Sequence, residues 1–94
     1  MTLDESVFLH VDLNALLILL VVYRERGVSR AAARLNLTQP AVSNTLAKLR
    51  AYFHDPLFTR HARGMTPTPK AKAIMKKLSP ALMDIQEVLL TTAR

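Results

Sequence analysis

The sequence predicts a mainly α fold, in which three helices and a short β-hairpin are followed by one long last helix. Three observations support this fold class. Apolar residues recur at helical spacing through most of the chain, N-cap residues precede these stretches, and one hairpin pattern with a glycine at its turn separates the third helix from the last. With 94 residues, half of them apolar, the chain can form one small hydrophobic core.

Basic residues are concentrated in the middle of the chain, and the net charge is +6. Between Gly27 and Lys77 there are ten Lys or Arg residues and one acid, Asp55, whereas the other six acids lie outside this window. Such segregation is typical of a surface that binds nucleic acid. The chain has no cysteine, no secretion signal, and an apolar run at Ala15–Tyr23 only about half as long as a membrane span. We therefore expect a cytoplasmic protein without disulfides or membrane contact.

The first helix is expected to follow a loose lead-in without regular structure, residues 1–11, which carry no periodic signal. Asp12 suits the N-cap of a helix from Leu13 to about Arg26, and Gly27 suits its end. This helix is apolar almost all round, and such a helix is usually buried on every side. The following helices can cover only part of it, so we expect a second partner, most simply another copy of the chain.

Two more helices with a tight turn between them are predicted next. Ser29 is expected to cap a short helix of about Arg30–Leu35, and Asn36 suits the left-handed conformation where the chain reverses. Thr38 is then expected to cap the helix Gln39–Phe53. This spacing predicts a helix-turn-helix. The alternative is a plain αα-hairpin within a helical bundle.

The second helix of this pair has two faces of different character. An apolar stripe, expected to pack in the core, consists of Val42, Leu46, Leu49 and Phe53. The opposite face is uncharged and carries Gln39, Pro40, Ser43, Asn44 and Ala47. Short hydrogen-bonding groups beside small apolar ones allow a helix to lie against base edges in a major groove. We therefore predict that this face reads double-stranded DNA.

A hairpin is predicted after Pro56, with its turn at Ala62–Gly64. Arg60, His61 and Arg63 cluster near the tip, and a basic wing of this kind suits phosphates or the minor groove. The alternative is a solvated loop. Further candidates for phosphate contact in the same basic region are Lys48 and Arg50.

Thr68 followed by Pro69 predicts the start of the last helix, which can run to Leu90 or beyond. Its apolar positions alternate in steps of four and three, the spacing of a coiled-coil seam, and they are Ala71, Met75, Leu78, Leu82, Ile85 and Leu89. Pro80 interrupts the run and is expected to bend the helix. We predict a linker helix that pairs two chains through this seam; packing only on its own domain is the alternative. The predicted boundaries are residues 1–67 for the DNA-binding domain and 68–94 for the linker helix.

Candidate catalytic and metal-binding residues are sparse. His10, His54 and His61 lie in three different predicted elements without metal-ligand spacing. No nucleophile–base set and no glycine-rich phosphate loop is present in the sequence. We therefore predict no enzyme activity, no metal site and no cofactor.

Three segments carry a resemblance to a known family: TQPAVSN at 38–44, DPLF at 55–58 and PTPKA at 67–71. Together with the residues around them, from 11 to about 73, they resemble the N-terminal DNA-binding domain of LysR-type transcriptional regulators. The resemblance is to the branch that includes nodulation and aromatic-degradation regulators. It implies a winged helix-turn-helix, a linker helix that pairs two chains, and a bacterial, cytoplasmic protein that binds an interrupted palindrome.

The resemblance also implies roles for single residues. It places Gln39, Pro40, Ser43 and Asn44 near bases, Ser29, Arg30 and Thr38 near phosphates, and the wing residues Arg60–Arg63 near the minor groove. Many relatives carry arginine where this chain has Asn44, and Asn pairs with adenine whereas Arg prefers guanine. Full-length members continue into an effector-binding domain, and this chain ends where that domain would begin. We therefore expect an excised domain or a natural truncation, with a small-molecule effector only for a full-length parent.

The sequence thus predicts sequence-specific binding of double-stranded DNA and transcriptional regulation by a homodimer, paired through the linker helix and the first helix. Two alternatives are a module whose basic surface binds an acidic protein, and a non-specific DNA packager of the nucleoid type. The uncharged Gln39–Ala47 face favours regulation. A packager would need lysines there, and an acidic partner would not need a shallow polar face.

Overall fold

The computed structural model describes residues 1–92 and contains five helices and one two-stranded antiparallel sheet. In chain order the elements are α1 (Glu5–Phe8), α2 (Leu13–Glu25), α3 (Val28–Leu35), α4 (Gln39–Phe53), β1 (Phe58–His61), β2 (Gly64–Pro67) and α5 (Pro69–Thr92). The predicted fold class is confirmed, with one helix more than expected. Ala93 and Arg94, which end the predicted linker segment, lie outside the described residues.

The extra helix is α1, within residues expected to lack regular structure. Asp4 caps it, because Asp4 Oδ1 accepts the Ser6 hydroxyl at 2.7 Å and the Ser6 backbone N–H at 3.0 Å. These two hydrogen bonds, the one from the hydroxyl first, hold the pKa of Asp4 below its ordinary value. A single helical turn produces no periodic apolar pattern, so the expectation of an unstructured lead-in is wrong at residues 5–8.

Helix α2 lies at the centre of the core. Its N-cap is Asp12, as predicted, and Asp12 Oδ1 accepts the Asn14 backbone N–H at 2.8 Å. The helix ends at Arg26, which takes the left-handed conformation with φ 59° and places its guanidinium 4.8 Å from the ring centre of Tyr23. The buried residues of the helix are Leu19, Val21 and Val22. One face stays open: Leu13 is 48% exposed and Leu17 is 39% exposed.

The start of α3 differs from the prediction. Gly27, which is extended at φ −174°, is the N-cap, and the helix begins at Val28. The Gly27 carbonyl already accepts the Ala31 N–H at 3.2 Å, so Ser29 lies inside the first turn. The expectation that Ser29 caps this helix, and that Gly27 ends the previous one, is therefore wrong by one to two residues.

The helix-turn-helix itself is confirmed. Asn36 adopts the left-handed conformation at φ 55° between the two helices, and Thr38 Oγ1 accepts the Ala41 N–H at 3.2 Å as the N-cap of α4. Ala32 of α3 and Val42 of α4 are buried in the same core. A small side chain on α3 and a buried anchor on α4 thus hold the two helices together.

The predicted wing is a two-stranded hairpin whose turn contains Ala62 and Arg63. The register pairs Phe58 with Pro67 and Arg60 with Met65. Gly64 has φ 134°, and a Cβ at this position would lie 2.7 Å from the Arg26 carbonyl oxygen. Only glycine therefore allows the hairpin to approach the end of α2 so closely.

Helix α5 begins where the sequence predicts, because Thr68 Oγ1 accepts the Ala71 N–H at 3.1 Å. It continues through Pro80 to Thr92. Ala71 and Met75 are buried in the core of their own chain. They are thus not free to pair with a second chain, and one core extends across the predicted boundary between residues 67 and 68.

The second half of α5 has a different environment. Ile85 is 44% exposed and Leu89 is 62% exposed, while Leu82 is partly exposed. The predicted seam is therefore divided between two roles. Its first residues pack within the domain, as the alternative held, and its last residues remain uncovered.

Candidate nucleic-acid interface

Helix α4 presents the two faces that the sequence predicts. Val42, Leu46 and Leu49 are buried, and Phe53 packs against the core at the end of the stripe. Burial of three large aliphatic side chains fixes the rotation of the helix on the domain. On the opposite side Gln39, Pro40, Asn44 and Ala47 are exposed, and Ser43 is half-buried. The uncharged face is thus turned to solvent.

The N-terminal ends of α3 and α4 are joined by a side-chain hydrogen bond. The Gln39 amide Nε2 donates to Ser29 Oγ at 3.2 Å. The Ser29 hydroxyl hydrogen and the Gln39 amide oxygen keep unused hydrogen-bonding capacity. Two residues predicted to approach bases and phosphates therefore lie next to each other.

A basic notch of about 300 Å³ opens where these helix ends meet the wing. The polar residues that line this basic notch are Arg26, Ser29, Arg30, Gln39, Arg60 and His61. Strand pairing places Arg60 on the same face of the hairpin as Met65, which also lines the basic notch. Unpaired amides at the start of α3 add partial positive charge. The basic notch therefore suits an anionic group such as a phosphate.

Sequence reasoning selected five of these six residues but missed Arg26. That residue was assigned only to the end of the first helix. Its left-handed conformation brings it beside both the start of α3 and Gly64 of the wing. The one signal in the sequence was its place next to Gly27, at the junction of two helices.

Arg30 and Arg50 hold backbone carbonyls of their own domain. Arg30 Nη2 donates to the Glu25 carbonyl at 2.7 Å and to the Arg26 carbonyl at 3.1 Å, and Arg30 Nε donates to the Glu25 carbonyl at 3.0 Å. Arg50 Nε donates to the Pro56 carbonyl at 2.9 Å. Both side chains thus have structural partners that the sequence analysis did not foresee. Lys48 is exposed, and no hydrogen bond from it occurs within residues 1–92.

The tip of the wing is organised by His61. The Arg63 backbone N–H donates to His61 Nδ1 at 3.3 Å, so the proton of a neutral ring resides on Nε2 and is donated to Thr66 Oγ1 at 2.8 Å. These bonds tie the side chain of one strand to the other strand. The Arg60 and Arg63 side chains stay exposed on either side of this pair.

Acidic side chains are missing from α4 and from the basic notch in the described part of the chain. Asp55, the one acid of the basic region, uses Oδ2 to accept the Thr68 hydroxyl at 2.6 Å and the Leu57 N–H at 2.8 Å. These hydrogen bonds, with a smaller effect of the Lys70 charge, hold the pKa of Asp55 below its ordinary value. The carboxylate therefore stays ionised but is turned to the α4–α5 junction.

A second surface, the apolar groove, lies away from the basic notch. It has a volume of about 550 Å³ and is formed by α2, the end of α3 and the second half of α5. Its exposed apolar residues include Leu13, Leu17, Ile85 and Leu89. The uncovered face of α2 and the uncovered half of α5 are thus continuous.

Neither a metal site nor a membrane-spanning helix is found in the described part of the chain. Residues 1–92 contain no group of three or more His, Asp or Glu side chains arranged to hold a metal ion. In the same residues no helix combines the length and apolar character needed to cross a bilayer.

Comparison with known sequences decides the family. The profile of the family described as "Bacterial regulatory helix-turn-helix protein, lysR family" matches residues 13–72, from the start of α2 into α5. The chain belongs to the lysR family. This membership confirms the resemblance seen in the sequence and makes the chain part of a family of bacterial regulatory helix-turn-helix proteins.

Curated relatives in this family include nodulation proteins. Nodulation protein D 2 of Bradyrhizobium sp. (strain NC92) and Nodulation protein D 1 of Rhizobium meliloti (strain 1021) are each 44% identical to the chain over 79 residues. These matches cover 84% of this chain but 23% and 26% of the two relatives. The chain therefore spans about a quarter of the length of the relatives it matches.

Solved structures of lysR-type proteins have the same fold. A probable transcriptional regulator from Pseudomonas aeruginosa superimposes with a TM-score of 0.80 at 37% identity, over 84% of this chain and 26% of that chain. The BenM DNA-binding domain in a complex with catB site 1 DNA gives a TM-score of 0.79 at 23% identity, over 88% of this chain and 93% of that one. The second likeness concerns the fold alone. Both agree with a lysR-type winged helix-turn-helix.

Proposed function

We propose that this lysR-family chain binds an interrupted palindrome in double-stranded DNA as a homodimer and regulates transcription in the bacterial cytoplasm. The observation that carries the proposal is the exposed, uncharged face of α4, whose first residue, Gln39, lines a basic notch together with Arg60 and His61 of the wing. Such a face can approach base edges, while the cations beside it hold phosphates. The solved BenM domain, which has the same fold, is bound to DNA in its structure.

The residues that contact bases in this proposal are Gln39, Pro40, Ser43 and Asn44. Asn44 is the strongest candidate, since its exposed carboxamide can donate to and accept from one adenine. Pro40 offers a small apolar surface that suits a thymine methyl group. The buried stripe on the far side of α4 fixes the rotation of the helix and so the direction in which these four residues face, which selective hydrogen bonding requires.

The phosphates are bound in this proposal by the basic notch and by the polar and basic residues beside it. Ser29 and Arg60 line the basic notch, Thr38 lies at the start of α4, and Lys48 projects from the exposed side of that helix. Arg63 and His61 place charge and polarity at the tip of the wing. Arg30 and Arg50, which already bind carbonyls, can contribute only their remaining N–H groups. Release of counterions from the phosphates would make the affinity strongly dependent on salt.

The apolar groove forms the dimer interface in this proposal. A second copy that places its own Leu82, Ile85 and Leu89 against the uncovered face of α2 would cover Leu13 and Leu17. Burial of such side chains stabilises association by about 25 cal/mol per Å² of apolar surface removed from water. Leu78, partly buried on its own domain, would border this contact. Two recognition helices would then enter successive major grooves about 34–36 Å apart, or a multiple of that distance.

A small-molecule effector would act through a longer parent protein. The curated relatives are about four times as long as the stretch that matches this chain, since it covers 23–26% of them. We propose that any effector binds to a part of such a parent that this chain does not include.

Selection of bound duplexes from a random DNA pool, at low and high salt, tests the proposed function. We expect enrichment of an inverted repeat with a fixed gap, and weaker binding of all sequences at high salt. Binding without enrichment would instead indicate a non-specific DNA packager. If no duplex is retained at either salt concentration, a module for an acidic protein partner becomes the better explanation.

A further inference from the structure

The junction between α4 and α5 is held by a chain of hydrogen bonds that packing alone does not require. Asp55 Oδ2 accepts the Thr68 hydroxyl at 2.6 Å and the Leu57 N–H at 2.8 Å. Thr68 Oγ1 in turn accepts the Ala71 N–H of the first turn of α5 at 3.1 Å. One carboxylate therefore connects the residues that follow α4 to the N-cap of α5. We call the pair of side chains the Asp55–Thr68 clasp.

The backbone on both sides of the clasp is fixed in unusual conformations. His54 is left-handed at φ 54° and ends α4, and Leu57 has φ 67° although its side chain is 0% exposed. A leucine with positive φ is uncommon and persists only where its surroundings hold it. The Leu57 N–H bonds to Asp55, and the Leu57 carbonyl accepts the Thr68 N–H at 2.9 Å. The clasp thus stabilises Leu57, the buried one of the two residues with positive φ through which the chain leaves α4.

Two further bonds cross the same junction. Lys70 Nζ from the first turn of α5 donates to the Phe53 carbonyl at 2.6 Å, and Arg50 Nε donates to the Pro56 carbonyl at 2.9 Å. Beyond Leu78 the apolar side chains of α5 are largely exposed. The direction in which the second half of α5 leaves the domain is therefore set by its first half, where the clasp acts together with the packing of Ala71 and Met75 in the core. A small rotation there would move the far end of this 24-residue helix by several ångströms.

We infer that the Asp55–Thr68 clasp is a positioning device that fixes the angle between the recognition helix and the linker helix, and thereby selects the gap between the two half-sites of the operator. The inference rests on the proposed function. Adding one base pair to the gap moves the half-sites apart by about 3.4 Å and rotates one against the other by roughly 35°. A dimer can discriminate against such a change only if the angle between α4 and α5 is rigid. Asp55 and Thr68 touch no base in this arrangement and act through the helices that they join.

Small substitutions at Thr68 test the hydrogen bonds of the clasp while they leave the packing around it nearly unchanged. Thr68→Val removes the hydroxyl but keeps the shape, whereas Thr68→Ser keeps the hydroxyl and is the matched control. Asp55→Ala removes the acceptor, and Asp55→Asn keeps one oxygen that can accept both bonds. Thermal unfolding of each variant shows whether it is folded at the temperature of the binding assays.

The first readout needs no DNA. The chain has no cysteine, so Ala51→Cys in α4 and Asp84→Cys in α5, both at exposed positions, carry a pair of spin labels. The doubly labelled chain is mixed with an excess of unlabelled chain, and the distance between the labels is measured by pulsed electron resonance. We expect one narrow distribution for the wild type and Thr68→Ser. For Thr68→Val we expect a broadened distribution or a mean displaced by about 3 Å, the rise of one base pair.

The second readout is binding to duplexes in which the gap of the selected operator is changed by one or two base pairs. We expect the preference of the wild type for its best gap to fall about threefold to tenfold in Thr68→Val and Asp55→Ala, the effect of losing about one hydrogen bond. Thr68→Ser and Asp55→Asn should keep most of the preference for the best gap.

An unchanged label distance in Thr68→Val would overturn the inference whatever the DNA results. So would a loss of affinity that is equal at every gap, since a purely structural role predicts that pattern. If the wild type itself binds no sequence selectively, the proposed function fails, and the role of the clasp in operator choice fails with it. The label distances would still show whether the clasp fixes the angle.

Discussion

Replacing Gly64 by alanine tests whether the wing is held against the end of α2 by a contact that only glycine permits. Its φ of 134° lies in a region that residues with a side chain rarely adopt, and an added Cβ would meet the Arg26 carbonyl oxygen at 2.7 Å. Strain of this kind costs about 1–3 kcal/mol. The close contact adds to that cost, because the Arg26 oxygen belongs to the backbone and the hairpin must shift to avoid it. We expect Gly64→Ala to lower the free energy of unfolding by about 2 kcal/mol or more.

Thermal unfolding followed by circular dichroism, at one fixed protein concentration, measures this effect. A loss of 2 kcal/mol corresponds to a fall in Tm of about 8–16 °C for a chain of this size. Gly27→Ala is the control for backbone strain, since Gly27 is extended at φ −174°; a Cβ there would meet Arg30 Nη2 at 3.1 Å, and that side chain would shift slightly against the carbonyls it binds. We expect its Tm to fall by less than half as much.

The same two variants connect the wing to DNA binding. A shifted wing would move Arg60 away from the basic notch, so Gly64→Ala should bind cognate and random duplexes more weakly than Gly27→Ala at equal folded fraction. Fluorescence anisotropy with labelled duplexes gives both affinities. Equal falls in Tm for the two glycine variants would refute the argument from backbone geometry.

Four other predictions follow from the described contacts. Asn44→Ala should cost about 1–3 kcal/mol of binding on the selected operator and relax one base position; an equal loss on random DNA would remove Asn44 from the base-reading set. Leu46→Ala should lower the free energy of unfolding by about 2–5 kcal/mol, because Leu46 is fully buried, and a denaturant titration that finds less than 1 kcal/mol would contradict its place in the core. Ile85→Asp should leave the fold intact and yield a monomer by light scattering, whereas Ala73→Asp, exposed on the face of α5 opposite the seam, should stay dimeric; matching masses for the two variants would count against the dimer surface. The pKa of Asp55 lies below its ordinary value of 3.8, so its contribution to stability is present above that value and is lost as the pH falls through the lower folded value. The stability difference between the wild type and Asp55→Asn should therefore be constant near neutral pH and disappear in acid, and a difference that persists in acid would show that charge is not its cause.

Side-chain caps and apolar periodicity made most of the fold predictable. Asp12, Thr38 and Thr68 each cap the helix that the sequence assigns to them, because a short polar side chain at that place has few other uses. Gly27 caps α3 without a side-chain bond, so no residue type marked that boundary. The single turn of α1 was missed for a related reason, since four residues are too few for a periodic pattern.

The types of residue at the candidate site were predictable, but the groups to which their side chains hydrogen-bond were not. Sequence reasoning could place arginine in a basic region, yet it could not foresee that Arg30 binds the carbonyls at the end of α2 or that Arg50 binds that of Pro56. Those acceptors belong to the backbone, and every residue has one. The linker seam shows the same limit. A heptad pattern predicts that Met75 and Leu89 are covered, but it does not distinguish the chain's own core from a second copy.

The division of α4 into two faces has a consequence for how such proteins diversify. The side chains that hold the helix in place, such as Val42 and Leu46, are buried, and those proposed to choose the operator, such as Pro40 and Asn44, are exposed. Substitutions at exposed positions usually change stability by less than about 0.5 kcal/mol. After gene duplication, mutations at the exposed positions can therefore accumulate without unfolding the domain. One scaffold can thus acquire new target sequences while its interior stays unchanged.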